Sequence, residues 1–119
     1  MGIIWKGVDG TLYDFTEHRY DSDWADIGGI FIFAARLPSG DWNPLYVGNA
    51  ESLAKRIRGN EKWPWAERLG ANGVLACAVE DEVRRGKIVA EMIARLKPPF
   101  NDYPQPRLDE TPMRRAGGG

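Results

Sequence analysis

Cysteine, histidine and long apolar runs are scarce in this 119-residue chain. Cys77 is the single cysteine, which excludes an intramolecular disulfide, and with His18 the single histidine a Cys/His zinc cage is excluded too. Cys77 lies in Val74-Leu75-Ala76-Cys77-Ala78-Val79, a strand-like run in which a cysteine packs as a small hydrophobe rather than serving as a nucleophile. No apolar stretch approaches the roughly 20 residues that cross a bilayer, and no basic start leads into an apolar run. These features predict a soluble, cytoplasmic protein that does not associate with membranes.

Charge of one sign is also lacking. The formal net charge is -1, so no broad electrostatic footprint for a polyanion is present, although the two parts of the chain differ. Residues 1–43 hold three basic and seven acidic side chains, whereas residues 44–119 hold 13 basic and 10 acidic ones. Any grip on a phosphate backbone must come from a local patch.

With 43% hydrophobic and 28% charged residues, a chain of this length can bury the core of one compact domain. Asp9-Gly10 is a turn signal between Ile3-Ile4-Trp5-Lys6 and Thr11-Leu12-Tyr13-Asp14-Phe15, which predicts a hairpin within residues 1–27. Gly28 to Ala35 is an apolar, β-branched and aromatic run of strand length, and Trp42 to Val47 reads as its antiparallel return strand after the Pro38-Ser39-Gly40-Asp41 turn. Beyond Gly48 the period changes. Ala50, Leu53, Ala54 and Ile57 mark a helix to about Gly59 with Asn49 as its expected N-cap. Trp63 to Gly70 follows the proline-first, glycine-last pattern of a short helix, and residues 73–79 read as a third sheet strand. Val89, Met92, Ile93 and Leu96 form the stripe of an amphipathic helix that Pro98 and Pro99 stop. Residues 102–119 are expected to be a flexible tail.

Several polar residues have both an ordinary and a functional reading. Glu91 lies off the apolar stripe between Lys87 and Arg95, where a surface ion pair is the ordinary one. Lys55, Arg56 and Arg58 read by default as a solvated helical face, Tyr46 as a packing aromatic, Asn60 and Asn101 as turn residues, and Gly29 and Gly48 as points of close backbone approach. Trp63 and Trp65 bracket Pro64 and read first as core closure, second as a stacking platform for bases.

The order of these signals resembles a known family. Gly29-Ile30-Phe31, Tyr46-Val47-Gly48, Arg56 eight residues later, Glu91 on the last helix and Lys97-Pro98-Pro99-Phe100-Asn101 together resemble the GIY-YIG nuclease superfamily over residues 28–101. The resemblance implies an α/β (α+β) fold with a small three-stranded, mainly antiparallel sheet flanked by helices, here extended by an N-terminal β-hairpin. It implies a metal-dependent endonuclease hydrolysing phosphodiester bonds in DNA, aided by a protein partner or an attached recognition domain. Glu91 would hold Mg²⁺ or Mn²⁺, Arg56 would grip the scissile phosphate, Tyr46 would orient the attacking water and Asn101 would secure the geometry. Gly48, Asn49, Lys55, Arg58 and Asn60 would line the substrate side. Phe31 stands where the first motif ordinarily ends in tyrosine, and Arg58-Gly59-Asn60 stands where many relatives place a histidine. Those departures support an alternative: a catalytically inactive domain of the same type that binds nucleic acid or a protein partner.

Overall fold

A computed structural model describes residues 2–102. The tail expected over residues 102–119 lies, apart from its first residue, outside them. Among the described residues no helix is long and apolar enough to cross a membrane.

The chain begins with strands β1 (Gly2–Lys6) and β2 (Leu12–His18), joined by the expected turn, in which Gly10 adopts a φ of 88°. Strand β3 (Gly29–Arg36) pairs antiparallel with β4 (Trp42–Ala50), and two short helices follow, α1 (Leu53–Ile57) and α2 (Trp63–Arg68). Strand β5 (Gly73–Ala78) precedes helix α3 (Glu82–Leu96), and α4 (Pro99–Asp102) closes the described chain. Lys97, in the left-handed conformation at φ 49°, ends α3 ahead of the two prolines.

The α+β class agrees with the expectation, but the expected three-stranded sheet is incorrect. A single sheet of five strands runs in the order β1-β2-β5-β3-β4, all neighbours antiparallel. The N-terminal hairpin continues this sheet because β2 pairs with β5 at Thr16↔Ala76, Glu17↔Leu75 and His18↔Val74. That pairing joins segments about 60 residues apart, and it gives β5 a ladder partner on its second edge.

Helices on both faces explain why β3 is an unbroken apolar run rather than an alternating one. Ile30, Ile32 and Ala34 face a core built with Phe15, Val47, Leu75 and the stripe Ile88, Val89 and Met92 of α3. Phe31, Phe33 and Ala35 face a second core closed by Leu53 and Ile57 of α1 and Ala66 of α2. Helix α3 therefore lies on one side of the sheet and α1 and α2 on the other.

The first helix is shorter than expected. Asn49 and Ala50 remain in β4, paired with Ile30 and Gly29, and the cap is Ser52, whose hydroxyl accepts a hydrogen bond from the Lys55 N–H at 3.2 Å.

Candidate phosphate-binding grooves

Tyr46 emerges from β4 on the side of α1. A register shift between Phe33 and Ala34 lets Leu45 and Tyr46 both pack with that core. The phenol ring rests against Phe31 and Phe33, with ring centres 6.1 and 5.8 Å away. Phe33 is in turn held edge-on by Trp63 at 5.0 Å, and Trp63 stacks flat on Tyr20 at 4.4 Å. Trp63 thus serves core closure, whereas Trp65 is 52% exposed beneath the Arg68 guanidinium.

Arg56 on α1 lines the same groove as Tyr46, and its positive charge acts on the phenol. Burial pushes the Tyr46 phenol above its ordinary 10.0; Arg56 opposes the shift and Glu61 adds to it. At neutral pH the residue is a protonated hydroxyl, suited to hydrogen bonding but not to removing a proton from water.

Around this pair opens a groove of about 360 Å³ lined by Tyr46, Lys55, Arg56, Arg58, Glu61 and Lys62, among others. Four cationic side chains thus face one carboxylate. Lys62 is buried with its Nζ 4.0 Å from Glu61, and Arg58 bonds to Asp23 at 3.2 Å in an exposed pair that holds it only loosely. Lys55 and Arg56 make no ion pair among the described residues. Asn60 shapes the turn beneath them: its Nδ2 donates to the Arg56 carbonyl at 2.8 Å and its Oδ1 accepts from the Lys62 N–H at 2.8 Å.

A second groove of about 630 Å³ opens where β4 ends and β3 begins, and it shares Lys55 and Arg56 with the first. Asn49 lines it and accepts a hydrogen bond on Oδ1 from Arg85 Nε at 2.7 Å. Arg85 was not anticipated as a site residue. The signal was present, since Arg85 precedes Ile88, Val89 and Met92 by three, four and seven positions and so continues their apolar stripe.

Glu91 belongs to neither groove. It sits on α3, across the sheet from Tyr46 and Arg56, and its Oε1 accepts a hydrogen bond from the Val8 N–H of the β1–β2 turn at 3.2 Å. Its surroundings are Val8, Asp9, Tyr13, Arg84 and Lys87. The expected meeting of phenol, guanidinium and this carboxylate about one phosphate does not occur, because α3 packs through Ile88, Val89 and Met92 on the opposite face of the sheet. The Mg²⁺ or Mn²⁺ site expected at Glu91 therefore does not fit beside Arg56.

Two further residues have structural work. Asn101 donates from Nδ2 to the Val47 carbonyl at 2.9 Å and accepts on Oδ1 from the Val47 N–H at 2.8 Å, so its amide caps the outer edge of β4 as a strand would. Gly48 lies under Phe31, and a Cβ there would stand only 2.1 Å from the Phe31 Cζ. Gly48 is therefore a seat for that ring, not a lining of either groove. Comparison with protein-family models, with curated proteins and with solved structures finds no match for this chain.

Proposed function

We propose that this domain binds the phosphodiester backbone of nucleic acid, DNA by the family resemblance, and holds one phosphate in the Tyr46–Arg56 groove without hydrolysing it. The observation that carries this reading is the local excess of cations in a groove where Arg56 has no carboxylate partner among the described residues and Tyr46 presents a protonated hydroxyl. Such a set offers forked and point-charge donors to phosphate oxygens. Hydrolysis needs in addition a proton acceptor and charge stabilisation on the leaving oxygen; Tyr46, the expected partner of the attacking water, is a protonated phenol, and Glu91, the expected metal ligand, lies away from Arg56. Phe31, fully buried, contributes no hydroxyl.

Binding to a fluorescein-labelled DNA strand, measured by anisotropy across salt concentrations, tests this reading. Wild type should bind with affinity that falls steeply as salt rises, and Arg56→Ala should bind more weakly with a shallower dependence. Binding indifferent to salt, or untouched by Arg56→Ala, would refute it.

Metal-dependent DNA cleavage is the second reading, supported by Tyr46 and Arg56 lining one groove. Nicking of plasmid DNA in Mg²⁺ or Mn²⁺ that disappears in Arg56→Ala would favour it over the first.

A further inference from the structure

Arg85 is 3% exposed, yet no carboxylate lies within ion-pair distance of it among the described residues. Its guanidinium is held from behind by neutral oxygens. Nε donates to Asn49 Oδ1 at 2.7 Å, and Nη1 donates to the carbonyls of Val79 at 2.8 Å and Glu80 at 3.3 Å. Gly28 leaves room for this arrangement, since a Cβ there would fall 2.6 Å from Nη1. Nη2 has no partner among the described residues, and it is not sealed from solvent: Trp5 Nε1 is the one side-chain nitrogen or oxygen among them that is both fully buried and unpaired. The free side of the fork belongs to a residue that lines the 630 Å³ groove. A guanidinium taken out of water without an ion-pair partner is costly, and an anion in direct contact with it would offset that cost.

We infer that Arg85 holds a second phosphodiester of the same strand, adjacent to the one at Arg56. The inference rests on the proposed function for the identity of the ligand. The two grooves are neighbours that share Lys55 and Arg56 in their linings, which would let one backbone pass from one to the other. Asp26, Glu51 and Glu82, all exposed, line this groove against Lys55, Arg56 and Arg85. Three carboxylates against three cations disfavour a dianionic phosphate monoester and suit the single charge of a diester.

Two measurements test the inference. In the first, a labelled 12-nucleotide thymidine strand is bound across a salt series. Arg85→Met should lower affinity about tenfold and reduce the slope of log K against log salt by about 0.7, the value for one phosphate contact on a single strand. Arg85→Lys, which keeps the charge, should restore the slope. In the second, the Arg85 Nε–Hε signal of the wild-type protein is followed by NMR as dimethyl phosphate is added, with inorganic phosphate in parallel. The signal should move more with dimethyl phosphate than with inorganic phosphate, and more than those of Arg19 and Arg95. Unchanged slope and affinity in a folded Arg85→Met, with Arg56→Ala impaired, would overturn the Arg85 subsite and leave the proposed function standing. Movement of the Arg85 signal by dimethyl phosphate in a protein that binds no DNA would support the diester subsite while refuting the polynucleotide reading. An Arg85 signal that neither anion moves would refute the subsite even if Arg85→Met fails to fold.

Discussion

Replacing Asn101 by alanine removes the side-chain amide that closes the outer edge of β4. Two hydrogen bonds are lost, both to the backbone of Val47, which is 2% exposed. Each typically contributes about 1 kcal/mol, and a backbone group left without partner in a dry position costs about 1–3 kcal/mol, so the expected loss is about 2–4 kcal/mol. At about 4–8 °C per kcal/mol for a domain of this size, the thermal midpoint should fall by about 10–30 °C. Urea titration followed by tryptophan fluorescence gives the same quantity independently, with an unchanged m-value if the unfolded state is unaffected. A loss below about 0.5 kcal/mol would show that water satisfies Val47 equally well and that the amide does not hold the edge. Weaker DNA binding at unchanged stability would assign Asn101 to the ligand and contradict the structural role.

Three other outcomes follow from the same geometry. Gly48→Ala should destabilise by about 1–3 kcal/mol or more, because the added methyl meets the Phe31 ring in a closed core, and chemical denaturation would register it. Tyr46, whose folded pKa is raised above 10.0, contributes stability that is complete below the unfolded value and is lost as pH rises through the alkaline range above about 10. Stability measured against pH should show that loss in wild type and a smaller one in Tyr46→Phe; identical curves would contradict the burial of the phenol. Glu91→Gln should change stability by less than about 1 kcal/mol and leave DNA affinity unaltered, since its one observed bond is an exposed one to Val8; a large loss of binding would restore it to the site.

Much of the fold was legible because its signals are local. The Asp9-Gly10 turn, the apolar run of β3 and the stripe Val89, Met92, Ile93 and Leu96 each specify an element from neighbouring residues. The pairing of β2 with β5 is not local: nothing in Thr16, Glu17 or His18 names Ala76, Leu75 or Val74 as partners, so the hairpin read as an extension rather than as two strands of one sheet. Ala50 illustrates a smaller ambiguity, since a small apolar residue fits a helical stripe and the buried end of a strand equally well.

The site was legible to the same extent. Tyr46, Lys55, Arg56, Arg58 and Asn60 come together because β4 runs directly into α1, a short connection that sequence order predicts. Glu91 does not join them, because which face of the sheet α3 covers depends on tertiary packing. Its alternative reading as a pair with Lys87 or Arg95 is not observed either. Arg85 is a charged residue on an apolar stripe, a pattern that marks a buried cation but does not name the groups around it.

If a cationic groove centred on Arg56 and Tyr46 takes a nucleic-acid phosphate, the salt dependence of DNA binding by wild type and Arg56→Ala will reveal it. The expected result is a linear fall of log K with log salt in wild type, and in the folded variant a slope smaller by about 0.7–0.9, one phosphate's worth. Parallel lines of equal slope for the two proteins, or no binding by wild type at low salt, would contradict it.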